Sequence, residues 1–174
     1  MSGENRYMNG YMRNNVDLKQ NNIREIIRLL KLYPDITKND IAEKMSMTVA
    51  SAHNFISELL EKGICISTGT VFASSGRRKS VQYRLNKDYG YIIGITLSRV
   101  SIHFTAHNLV NSLLAEKTHT CDIHDMDSTT EKLLSGVSEF MSEKKLRNKN
   151  CLCMGITIPG RTDKGRRIAL LPDC

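Results

Sequence analysis

The chain has 174 residues and a formal net charge of +7, with 40% hydrophobic and 25% charged positions. That balance fits one or two globular domains and excludes collagen-like or proline-rich disorder. No apolar run is long enough to span a membrane. The polar N-terminus lacks a secretory signal, so the chain reads as cytoplasmic.

The five cysteines, Cys65, Cys121, Cys151, Cys153 and Cys174, read as free thiols in such a compartment. Cys151 and Cys153 lie two apart in a strand-like run and would share a face. No second pair is spaced to complete a zinc site, so neither metal nor cofactor is expected. The charge is unevenly spread. Residues 1–86 hold 13 Lys/Arg against 8 Asp/Glu, whereas residues 87–174 hold 12 against 10. Between Ile64 and Lys87 stand Arg77, Arg78, Lys79 and Arg84 with no acid among them. A local basic stripe is the footprint of a polyanionic partner, although alone it could equally be a solvated loop.

Residues 1–16 are polar, rich in Asn and Gly, and read as a flexible leader. From Asn21, Ile23, Ile26, Ile27, Leu29, Leu30 and Leu32 recur with helical period, and Pro34 ends that helix. Thr37 caps a short second helix, answered by Asp40 three residues on, with Ile41, Ala42 and Met45 on its buried side. After a tight break at Ser46-Met47, Thr48 caps a third helix reaching about Lys62. Its apolar stripe is Ala52, Phe55, Ile56, Leu59 and Leu60. Gly63 closes it. Ile64–Thr68 and Ser80–Leu85 alternate as strands around a loop bearing Gly, Ser and basic residues.

Two helices, a tight turn, a helix and a basic hairpin form the order of a winged helix-turn-helix. The major groove admits one helix, whose N-terminal residues reach base edges. Thr48, Val49, Ala50, Ser51, His53 and Asn54 lie near the start of the third helix and off its apolar stripe. Asn can pair bidentately with adenine, Ser can donate or accept, and Val or Ala can meet a thymine methyl. Thr37, Lys38 and Asn39, at the start of the second helix, would brace the backbone. Arg77, Arg78 and Lys79 would add wing contacts to phosphates or the minor groove. Phe55 and Met47 fit the core better than a base contact, and His53 is a surface residue rather than a ligand. The implied partner is double-stranded DNA.

In the second half, Tyr91–Ile95, Ser101–Ala106, Leu113–Thr118 and Cys151–Ile158 read as strands. Ser128–Leu146 reads as a helix with Leu133, Leu134, Val137 and Phe140 on one face. The fold class is α/β overall. The domains are a leader (1–16), a winged helix-turn-helix (17–86) and a partial α/β domain (87–174). An uncovered apolar sheet face would favour dimerisation.

The segment Ile36–Ile64, the wing Ser74–Asn86 and the strand run Tyr89–Leu109 resemble the ROK transcriptional regulators, relatives of sugar kinases. The resemblance covers about residues 17–174. It implies an actin-like, ribonuclease H-like fold for the second half and a repressor of carbohydrate genes, such as those of xylose metabolism. Gly155–Asp163 matches the family's Pro-Gly motif, so Pro159, Gly160 and Asp163 would be the remnant of a sugar pocket. The chain departs from the family's Gly-Ile-Asp-Ile-Gly phosphate strand at Thr96 and Ser98, which argues against sugar kinase activity. It ends at Cys174, soon after that motif, so the resemblance implies a shortened product with weak or absent sugar binding. Such a product could also act by homodimerisation or by associating with a full-length relative.

Overall fold

The computed structural model describes residues 4–72, 79–122, 124–143, 145–163 and 168–170. It divides into two compact units, Met1–Asn86 and Lys87–Cys174.

In the first unit, helix α1 spans Glu4–Leu32. It runs through most of the segment read from sequence as a leader. No proline interrupts Glu4–Leu32, and extending a formed helix costs far less than nucleating one. The Asn residues and Gly10 lower its propensity without ending it. A two-residue strand β1 (Ile36–Thr37) follows, then α2 (Lys38–Lys44) and α3 (Val49–Glu61). The hairpin is β2 (Cys65–Phe72) and β3 (Lys79–Leu85). The sheet order is β1-β3-β2, all antiparallel.

The expected caps are in place. Thr37 and Asp40 form a reciprocal capping box on α2, and the Ser51 N–H donates to Thr48 Oγ1 at 3.1 Å on α3. The break between the helices turns on Ser46 at φ +52°, left-handed backbone that non-glycine residues visit only in turns. Ile26, Leu30, Ile41, Ala42, Ala52, Ile56, Leu59, Tyr83 and Leu85 form the buried core. Phe55 is only half-buried.

The second unit is an α/β layer. Strands β4 (Tyr91–Leu97), β5 (Ser101–Asn108) and β6 (Leu113–Thr120) form an antiparallel meander. Helix α4 (Met126–Met141) crosses to β7 (Cys151–Thr157), which lies parallel to β4. The order is β6-β5-β4-β7. A short hairpin, β8 (Arg161–Asp163) with β9 (Ile168–Leu170), follows.

One sheet face packs on α4. Tyr91, Ile93, Ile95, Ile102, Phe104 and Ala106 meet Phe140 and Leu146 there. The opposite face carries Thr96, His103, Thr105 and Thr118, so it is not the apolar face expected to lack a cover. Uncovered apolar surface lies instead along β7. Met154 and Ile156 pair in register with the inward Ile93 and Ile95, yet are 47% and 52% exposed.

Two smaller expectations also change. Leu134 is 65% exposed, so the packed face of α4 is Leu133, Val137 and Phe140. The register shift after Tyr91 leaves Leu152 as an extra residue, aligning Cys151 with inward Tyr91 and Cys153 with outward Ile92. A bulge interrupts strand alternation, so the two sulfurs lie on opposite faces.

Candidate nucleic-acid interface

Helices α2 and α3 pack through Ile41, Ala42, Ala52, Ile56 and Leu59. That packing turns the start of α3 outward. Thr48, Val49, Ala50, His53 and Asn54 are exposed there, and Ser51 is half-buried. The helix N-terminus adds unpaired N–H groups and a positive dipole end, both suited to phosphate.

The exposed residues are not equivalent. Thr48 Oγ1 and Ser51 Oγ are hydrogen-bonded at 2.9 Å, so their hydroxyls are already engaged in the cap. Asn54 has no hydrogen-bond partner among the described residues, so its amide is available for a bidentate contact. His53 accepts at Nδ1 from Lys38 Nζ at 3.2 Å and lies 3.5 Å from Ser57 Oγ. It joins the start of α2 to α3 rather than standing alone.

Thr37 is 8% exposed, and its Oγ1 donates to Asp40 Oδ2 at 2.7 Å. Its hydroxyl therefore serves the α2 cap, which shifts the bracing role to Lys38 and Asn39. Antiparallel pairing of Thr37 with Gln82 brings the wing base beside the start of α2. Lys38, Asn39, Val49, Lys79, Ser80 and Val81 line a groove of about 320 Å³ there. Ser80 joins the candidate surface although nothing in its local sequence marks it. It arrives because β1, too short to leave a period in the sequence, pairs with β3. Arg77 and Arg78 lie outside the described residues. Arg84, counted in the basic stripe, is paired with Asp35.

Charge elsewhere in this unit is also paired. Glu58 on α3 meets Lys19 of α1 at 2.8 Å and Lys62 at 2.6 Å. Those two bonds hold its carboxyl at about 2, well below its usual 4.5. Burial pushes the Cys65 thiol up to about 11, which removes it from thiolate chemistry at neutral pH.

In the second unit the residues matched to a phosphate strand have local roles. Thr96 is exposed on β4. Ser98 Oγ accepts from the N–H groups of Val100 and Ser101 at 3.3 and 3.0 Å. Two of the turn's own N–H donors are thus taken by a side chain. Pro159 is half-buried and Gly160 is exposed at φ +151°. Asp163 falls in β8, but its side chain is outside what the structure describes. Among the described residues no three metal-ligating side chains converge, and no helix is long and apolar enough to cross a membrane.

Residues 20–64 match the family described as winged helix-turn-helix DNA-binding. That span takes in α2 and α3 and ends just before β2. It is 26% identical over 150 residues to the DNA-binding transcriptional dual regulator NagC of Escherichia coli K12, covering 86% of this chain and 37% of the relative. It is 27% identical over 161 residues to the Xylose repressor of Caldicellulosiruptor bescii, covering 92% and 40% respectively. Among solved structures, a ROK family transcriptional regulator, homolog of E. coli MLC protein, superposes with a TM-score of 0.67 at 22% identity, over 87% of this chain and 38% of that one. Over this span the chain has the fold of a ROK-family regulator. It spans about two fifths of the length of these relatives, and those with assigned roles are regulators rather than kinases.

Proposed function

We propose that the chain binds double-stranded DNA sequence-specifically through α3 and represses carbohydrate-related genes, xylose genes among the candidates. The observation that carries this is the outward, small and polar start of α3, with Asn54 open and Lys38 and Lys79 lining the adjoining groove. Repression linked to xylose is what the name of the Caldicellulosiruptor bescii relative states, and it is carried over to this chain. A role without phosphoryl transfer is supported by the β4–β5 turn, where the N–H groups of Val100 and Ser101 donate to Ser98, since such transfer depends on donors directed at phosphate. Sugar binding by this chain alone is weak, because Pro159, Gly160 and Asp163 supply few polar partners for hydroxyls.

Binding-site selection on random duplexes, followed by Asn54→Ala, tests the reading. The variant should lose about 1–3 kcal/mol on the selected site, mainly at one base position, with nonspecific binding kept. Equal affinity of variant and parent for every duplex would move readout to Ser51 or the wing. Replacing Arg77, Arg78 and Lys79 together by Ala should weaken binding to all duplexes. It should flatten the salt dependence by about two to three units, near 0.9 per lost phosphate contact.

The apolar strip of Met154 and Ile156 favours a second, compatible role. It would join two copies of this chain, or this chain and a longer relative. Sedimentation velocity of the parent against Ile156→Ser reads this directly.

A further inference from the structure

The wing is tied to the helices through one residue of the α1–α2 turn. Asp35 has φ +67°, left-handed backbone that Asp tolerates better than most residues. Its Oδ1 accepts from Thr68 Oγ1 at 2.5 Å and from Arg84 Nε at 3.0 Å. Arg84 Nη2 donates to both carboxylate oxygens, at 2.8 and 2.9 Å. The Asp35 carbonyl accepts from Gln82 Nε2 at 2.9 Å. Both strands of the hairpin therefore meet at this residue.

The Thr68 contact falls where the hairpin bends. Ser67 pairs with Tyr83 and Gly69 with Gln82, so Thr68 is the extra residue of a bulge, and Gly69 follows at φ +156°. A bulge bends and twists its strand. Beyond it β2 runs on to Phe72, and β3 returns from Lys79. The core between α2 and α3 is apolar and makes no use of the Asp35 carboxylate.

We propose that Asp35 is a positioning residue for DNA binding: its carboxylate fixes the bend of β2 at Thr68, and with it the direction in which the wing leaves the helix-turn-helix. This rests on the DNA-binding reading above. The competing role is electrostatic, in which Asp35 only neutralises Arg84. The two differ in sign. Loss of a positioning group withdraws wing cations from phosphates, whereas loss of a neutralising group releases Arg84 toward them.

The test uses the full chain and Asp35→Gly, which removes the carboxylate while suiting the left-handed backbone. Asp35→Asn, which keeps an oxygen acceptor for Thr68, is the conservative partner. Fluorescence anisotropy on a labelled mixed-sequence duplex is read between about 50 and 200 mM salt. Asp35→Gly is expected to bind about tenfold more weakly, with a salt slope flatter by about two units, and Asp35→Asn to recover part of both. With Arg77, Arg78 and Lys79 already replaced by Ala, Asp35→Gly should add no further loss, because its effect passes through the wing. A parental slope, a steeper slope, or a full additional loss in the wing-deficient background overturns the proposal while leaving DNA binding intact. Failure of the parent to bind any duplex overturns the DNA-binding reading, and this inference with it.

Discussion

The two units solve burial differently. In the winged helix, the apolar stripes of α1, α2 and α3 converge, and Ile26, Leu30, Ile41, Ile56 and Leu59 are all buried. The polar positions left over are concentrated where α3 begins. In the second unit, β4 and β5 bury one face against α4, but β7 presents Met154 and Ile156 to solvent on that same face. Isoleucine is therefore buried at the centre of both units, at Ile56 and at Ile93, but lies open on β7 at Ile156. Burial in the first unit closes within the segment. In the second it depends on how far α4 reaches across the sheet, and α4 stops short of β7.

The sharpest way to break this contrast is a pair of identical truncations. Ile56 is 0% exposed and Ile156 52%. Ile56→Ala should cost about 2–5 kcal/mol of unfolding free energy, as a cavity in a closed core. At concentrations low enough to keep the chain monomeric, Ile156→Ala should stay within about 0.5 kcal/mol, as a surface change. Phe55→Ala, at a half-buried position, should fall below the roughly 3–5 kcal/mol expected of a fully buried aromatic. Denaturant unfolding followed by circular dichroism reads all three. A large loss from Ile156→Ala would mean that β7 is covered in solution, which is what self-association predicts.

A middle-sized effect probes how tightly α4 sits. A Cβ built on Gly136 would lie 2.7 Å from Phe104 Cζ and 3.0 Å from its Cε2. Phe104 is itself buried, edge-on to His119 and tilted against Phe140. The ring has nowhere to retreat. Overpacking of this kind costs about 1–3 kcal/mol, and Gly→Ala returns up to about 1 kcal/mol of helix propensity. Gly136→Ala should therefore destabilise the second unit by about 1 kcal/mol, with the winged helix unaffected. A gain in stability would show that α4 can lift away from the sheet.

The contrast also marks what sequence could carry. The caps Thr37 and Thr48, the break at Ser46 and the stripe of α3 were legible because each is a local rule acting over three or four residues. The α/β order was legible from runs such as Tyr91–Ile95 and Cys151–Ile158. Features set by pairing were not. Strand β1 is two residues long, so Ser80 and Asn39 gave no sign of meeting. The bulge at Leu152 reverses the facing of Cys153, a one-residue slip invisible in the alternation. Thr37 reads both as the α2 cap and as a backbone brace, and its burial, which no local rule announces, leaves its hydroxyl to the cap. Leu134 fitted the helical face by spacing, but the sheet beneath does not extend under it.

The smallest effect concerns the two ion pairs of Glu58, one of which joins α1 to α3. Glu58 receives Lys19 and Lys62 at 2.8 and 2.6 Å, and its carboxyl falls from 4.5 to about 2. In the unfolded chain it titrates near its ordinary value. Between about 2 and 4.5 the unfolded chain therefore binds more protons at this site, and stability rises with pH across that window. The stabilisation is fully present above 4.5 and lost as pH falls through about 2. The pair is at the surface, so the effect is modest and screened by salt. Glu58→Gln isolates it, because Asp35, the other acid of this unit whose carboxyl is lowered, is present in parent and variant alike and cancels in their difference. The parent's advantage in melting temperature should be level at neutral pH, shrink below 4.5 and vanish near 2, and it should be smaller throughout at high salt. A difference that ignores pH would mean that neither Lys19 nor Lys62 holds Glu58 in solution.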